Sequence, residues 1–112
     1  MSNLISKSEQ EEKRLKALAE YRILGTKPEA CYDDITKIAS SICNVPISLM
    51  TLVDKDRQWF KAKVGLKISE TRRDWSFCTH AIQENSPLII HDALKDERFI
   101  NNPLVTGDPN IR

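Results

Sequence analysis

The 112-residue sequence predicts an α+β domain, an antiparallel sheet flanked by helices. Three observations predict it. Two helical patterns come first. Two consecutive strand patterns follow, with only "DKDR" between them. No long crossover helix separates the strands, as a doubly wound α/β fold would require. The length is that of about one domain, so residues 1–112 are read as a single unit.

The first helix is expected over 8–24. Ser8 and Glu11 have the spacing of a capping box, in which each side chain satisfies a free backbone N–H of the first turn. Glu9–Lys13 and Glu12–Lys16 are i,i+4 pairs in the better orientation, acid first. Leu15, Leu18 and Ala19 make a narrow apolar stripe, and Gly25 is a plausible stop. A helix this charged lies at an edge or pairs with another helix.

The second helix is expected over 28–43. Thr26 and Glu29 repeat the capping-box spacing, and Pro28 suits a first turn. Tyr32, Ile35, Ile38, Ala39 and Ile42 recur at helical spacing and predict the buried face. Asn44 and Pro46 end the helix.

Strands are predicted over 47–53 and 58–64. The first, "ISLMTLV", is apolar at nearly every position, which implies cover on both faces. The second alternates: Phe60, Ala62 and Val64 face one way, Trp59, Lys61 and Lys63 the other. Trp59 is read as a ring under a helix, with lysine stems beside it. A short helix follows over 76–83, capped by Ser76, and "LIIH" is a third strand over 88–91. The remainder reads as one helical turn and loop. The apolar first strand calls for a central place that three strands hardly supply. The domain is therefore expected to be incomplete, lacking C-terminal strands and a helix.

Charged residues make up 29% and apolar residues 40% of the chain, with a net charge of +1. That balance suits a soluble domain. Basic residues form no stripe, so nucleic acid is not an expected partner. No apolar run approaches the ~20 residues of a membrane span, and the N-terminus has no apolar signal core. Three cysteines, Cys31, Cys43 and Cys78, include no C-x-x-C pair. This fits reduced thiols and a cytoplasmic location.

The stretch "SFCTHA" carries the main chemical question. Cys78 and His80 can be a nucleophile and its base, two ligands of one metal, a cofactor tether, or packed residues of a helix. Helical residues i and i+2 lie about 200° apart around the axis. That spacing opposes both a shared metal ion and a Cys–His contact, and packing is the favoured reading. A thiol in a first helical turn can still be modestly reactive. Arg72, Arg73 and the "DERF" group (Asp96, Glu97, Arg98) are read as solvated charges.

Three stretches taken together are informative. The segment from Tyr21 to Leu66, then "SFCTHAI", then "DERFINNPLVTGDPNIR" resemble the N-terminal part of GAF domains. The likeness is to the type at the front of bacterial sensor histidine kinases and diguanylate cyclases, and it runs from about Arg14 to Arg112. The resemblance implies a GAF-like fold, profilin-like and related to PAS, with a sheet of about five or six strands. Helices from the N-terminus would cover one face. Loops and short helices would form a pocket on the other, with Trp75, Phe77, Cys78 and His80 as its ligand-binding residues. "DERF" departs from the order of the cyclic-nucleotide signature, and Thr79 interrupts the Cys-His of bilin-binding members. The cysteines do not match the set of methionine-sulfoxide-reducing members. The function implied is a non-catalytic sensory module of bacterial signal transduction. It would bind a small molecule or hold two chains together, with no metal and no cofactor predicted. A homodimer using Leu15, Leu18 or a sheet edge, and a C-terminal output domain, are the expected partners. The alternative is a small redox enzyme, like a methionine sulfoxide reductase, working through Cys78.

Overall fold

A computed structural model describes residues 6–111. The element order is α1 (Lys7–Tyr21), α2 (Ala30–Cys43), β1 (Ser48–Val53), β2 (Arg57–Val64) and β3 (Glu70–Arg72). A 3-10 turn (Arg73–Trp75), α3 (Cys78–Ala81), a second 3-10 turn (Ala93–Lys95) and α4 (Pro103–Thr106) follow. Among the described residues the sheet has three antiparallel strands in the order β1-β2-β3. The α+β class stands, and so does the hairpin, but the third strand is Glu70–Arg72 rather than 88–91. Leu88–His91 has no ladder partner among the described residues. β1 lies at an edge, so its middle residues are only half-buried. The central strand is β2.

The helices begin and end by different devices from those expected. Ser6, not Ser8, caps α1, accepting the Glu9 N–H at 3.2 Å. The helix stops at Tyr21 because Arg22 turns left-handed, three residues before Gly25. Asn44 ends α2 in the left-handed conformation, as its residue type favours. The buried face of α2 is reversed. Ile35, Ile38 and Ile42 are 54, 57 and 78% exposed, while Thr36 is buried with its hydroxyl bonded back to the Asp33 carbonyl. Leu18 is the buried residue of α1, which removes it as an open dimer contact.

β2 carries an extra residue. Met50 pairs with Ala62 and Thr51 with Phe60, which leaves Lys61 as a bulge. Opposed residues on antiparallel strands share a face. Trp59 (opposite Leu52) therefore shares a face with Ala62 (opposite Met50), and Phe60 shares the other with Lys63 (opposite Leu49). The simple alternation expected for this strand holds only up to the bulge. Gly65, just beyond β2, is required: a Cβ there would sit 2.0 Å from the Pro46 carbonyl oxygen, at a φ of +85°.

Lys61 is buried. Its ammonium meets Glu29 Oε2 at 2.6 Å and donates to Thr26 Oγ1 and the Lys27 carbonyl at 2.7 Å each, with the Tyr32 ring 5.5 Å away. This explains why the Thr26/Glu29 capping box does not form. Both side chains are engaged by Lys61, and α2 starts at Ala30 with no side-chain cap. Pro28 stays outside the helix.

A second joint fastens α1. Arg14 grips Glu11 with two bonds of 2.9 Å and also donates to the Val53 carbonyl. Arg73 meets the same Glu11 carboxylate at 2.5 Å and reaches the carbonyls of Asp54 and Lys55. The Arg14 bonds, then those of Arg73, lower the Glu11 pKa from 4.5 to about 2. A core cluster without residues of α1 or α2 joins Ala93, Phe99 and, from α4, Val105, with Phe77 and Ile90 packed on it. No described helix is long and apolar enough to cross a membrane.

Two predictions follow from the joints. Lys61→Met keeps the apolar stem but strands the Thr26 and Lys27 acceptors, and should cost about 2–4 kcal/mol in urea unfolding with an unchanged m-value. Glu11 has a depressed folded pKa, so its contribution is fully present above pH about 4.5 and is lost as pH falls through about 2. Glu11→Gln should be less stable than the parent at neutral pH, and the two denaturation midpoints should converge between pH 4.5 and 2. Parallel curves over that range would refute it.

Candidate functional site

The face of the sheet that carries Thr51 and Phe60 also carries Val53, Gln58 and Thr71, which are opposed across the ladder. The segment after β3 is laid over this face by polar contacts. The Ser76 hydroxyl donates to Gln58 Oε1 at 2.5 Å, and Gln58 Nε2 donates to Thr71 Oγ1 at 3.2 Å. All three residues are buried. Ser76 Oγ also accepts the Thr79 N–H at 3.2 Å, so the predicted cap forms and starts the turn of α3. The helix is shorter than the predicted 76–83 and ends at Ala81. Among the described residues no buried side-chain nitrogen or oxygen lacks a partner. The row Thr71–Gln58–Ser76 is therefore a closed network, and removing one member leaves another buried and unpaired.

The four expected ligand-binding residues part company. Phe77 stacks on Phe99, ring centroids 4.3 Å apart, and His80 meets the same ring edge-on at 5.1 Å. Cys78 turns to the sheet, where its sulfur accepts the Thr51 hydroxyl at 3.2 Å. Trp75 holds Arg72 over its ring at 5.3 Å, and its carbonyl accepts Asn102 Nδ2 at 2.9 Å. Clefts of about 470, 510 and 620 Å³ open elsewhere, and none of the three is lined by these four residues. The structure therefore gathers Phe77 and His80 around Phe99, and sets Cys78 and Trp75 apart from them.

The sequence reading missed Thr51, Gln58 and Thr71. Each sits in a strand where side-chain type alone does not distinguish a solvated polar residue from a buried one. It also treated Arg73 as solvated, whereas Arg73 is part of the α1 joint. The "DERF" charges are largely solvated as read: Glu97 and Arg98 are exposed, with Asp96 paired to Arg98 at 2.7 Å and Arg98 over Phe99. The Arg98 side-chain bond, then its backbone N–H, lowers the Asp96 pKa to about 2.

Chemically the face offers a half-buried thiol, a hydroxyl donor and an imidazole directed at an aromatic ring. Among the described residues Cys78 Sγ is bonded to the Thr51 hydroxyl and not to His80, which packs edge-on against Phe99. All three cysteines are free, and Cys31 and Cys43 are exposed on α2. Among the described residues no group of three or more His, Cys, Asp and Glu side chains could hold a metal ion.

Residues 27–112 match the family model of the GAF domain. Over 104 residues, 93% of this chain, the sequence is 36% identical to a cyclic di-GMP phosphodiesterase, PA2567, of Pseudomonas aeruginosa. The match covers 18% of that relative, so the chain spans under a fifth of its length. With helices first, an antiparallel sheet behind them and a family match over most of its length, the chain belongs to the GAF domain family.

Proposed function

We propose that this chain is a non-catalytic regulatory module of bacterial signalling, one that senses a small molecule on the α3-covered face and reports through α1. The observation that carries the reading is the position of Arg73. Its carbonyl accepts the Ser76 N–H at 2.9 Å and the Thr79 hydroxyl at 3.1 Å, while its guanidinium holds Glu11 of α1. One residue thus belongs both to the cover of the sheet face and to the anchorage of the first helix. A ligand that prefers one position of the cover would shift α1 by its difference in affinity for the two positions. The similarity to part of a bacterial phosphodiesterase supports a regulatory context, with the catalytic output supplied by other chain. Homodimerisation is part of the proposal. The exposed stripe Ile35, Ile38 and Ile42 on α2, rather than Leu18, is the apolar surface that favours it.

The redox alternative is not favoured. Cys78 is bonded to Thr51 and has no base directed at it.

Hydrogen exchange tests the coupling. Ser76→Ala, which opens the cover, should change protection of the α1 amides by several-fold in the parent and by much less in an Arg73→Gln background. Equal changes in both backgrounds would refute transmission through Arg73. An assay of methionine sulfoxide with dithiothreitol should give no turnover. Turnover abolished by Cys78→Ala would restore the redox reading.

A further inference from the structure

We propose that the cleft between the 25–28 linker, α2 and β2 is a second binding site, for a small oxyanion, whose walls do not include Trp75, Phe77, Cys78 or His80. The cleft holds about 470 Å³ and is lined by Lys37, Lys61 and Lys63, with Asp33, Trp59 and Ser69 among its other walls. That volume lies in the range of small-ligand sites. Three lysines and Asp33 are among the walls, and Lys61 pairs with the adjoining Glu29.

Lys61 makes the site more than a basic surface. Its side chain is wholly buried, and it directs one N–H to a carboxylate, the other two to the Thr26 hydroxyl and the Lys27 carbonyl. The carboxylate belongs to Glu29, whose side chain is 55% exposed. The chain's own oxyanion thus occupies the innermost donor while keeping access to water. Glu29 can return to water at little desolvation cost to itself, but its departure strands the buried Lys61 ammonium, so it leaves only in exchange for another anion. A free oxyanion of matching size can take Glu29's place. Lys63 is a further wall of the cleft, with its ammonium held by the Lys67 and Ile68 carbonyls at 2.9 Å each. Lys37 is exposed on α2 at the rim. The shared chemistry is an oxyanion, carried by a phosphate or by a carboxylate.

Exchange at Lys61 would have a structural consequence. Glu29 is the residue just before α2, and its bond to Lys61 helps hold the linker from α1. An anion that displaced it would loosen that tie from the side opposite to Arg73.

The test uses the whole chain with Trp75→Phe, so that fluorescence reports Trp59 in the cleft. Inorganic phosphate and acetate are titrated separately against sodium chloride at equal ionic strength. Thermal midpoints of the parent with and without phosphate provide a second measure that does not depend on the tryptophan change. We expect saturation with phosphate, acetate or both. Lys37→Ala should weaken it about two- to five-fold, and Glu29→Gln should tighten it by a similar factor, because the internal competitor is gone. Response to phosphate alone assigns a phosphate-bearing ligand, to acetate alone a carboxylate, and to both the general oxyanion. No saturation beyond the chloride control, in fluorescence and in midpoint alike, overturns the site. So does Glu29→Gln that lowers stability without tightening binding, which is the result of an ion pair with a structural role only.

Discussion

A charged group at the middle of the central strand decides how the rest of the chain is arranged. β2 is buried from Gln58 through Ala62, and Lys61 lies inside that run. A buried ammonium stays charged only where carboxylates and carbonyls replace its water. The linker between the helices supplies them from Thr26, Lys27 and Glu29. Its conformation follows from that duty: Arg22 and Gly25 take positive φ, at +51° and +74°, and Glu29 is extended. The bulge belongs to the same arrangement, because it takes Lys61 out of the pairing register of β1.

The first helix is held by charge more than by apolar contact. Leu18 is its buried residue. Among the described residues it is also tied by the Glu11–Arg14–Arg73 cluster near its start and by the Lys61-bound linker beyond its end. Interactions of partly exposed charges are screened by salt and are worth little individually. An element attached in this way can change position at small free-energy cost. The core cluster around Phe99 and Val105, both essentially unexposed, has no such freedom.

Much of this fold was legible in the sequence. Two helices, the hairpin, the Asn44 stop and the Ser76 cap all follow from local chemistry. What failed was whatever depended on distant residues. Helical spacing identified a stripe on α2 but could not say which side of the helix the sheet would meet, and the isoleucines ended outside. "ETR" carries no apolar pattern, so β3 was invisible; it pairs through its ladder and the Gln58–Thr71 bond. Alternation sets Lys61 beside Trp59 as a lysine stem and takes no account of the bulge. At the candidate site the sequence groups Trp75, Phe77, Cys78 and His80 as one stretch, and the fold sends them to different partners. The stretch's partners Thr51, Gln58 and Phe99 were not legible, since they approach it only through the tertiary fold.

The hydrogen bonds of the cover over the sheet face converge on Arg73. The Arg73 carbonyl receives the Ser76 N–H and the Thr79 hydroxyl, and the Arg73 N–H is given to the Asp56 carbonyl at 3.2 Å. Residues 73 to 79 are thus closed into a compact unit. Its far end rests on Phe99 through Phe77 and His80, and its near end carries the guanidinium that holds Glu11. A push that separates Ser76 from Gln58 must either break the bonds inside the unit or rotate it as a whole. Outside the unit, Arg73 is held by the Glu11 carboxylate on one side and by the Asp54, Lys55 and Asp56 carbonyls of the β1–β2 turn on the other. Under the proposed sensing role, rotation of the unit would load both α1 and that turn, and the Glu11 ion pair is the tie that salt weakens.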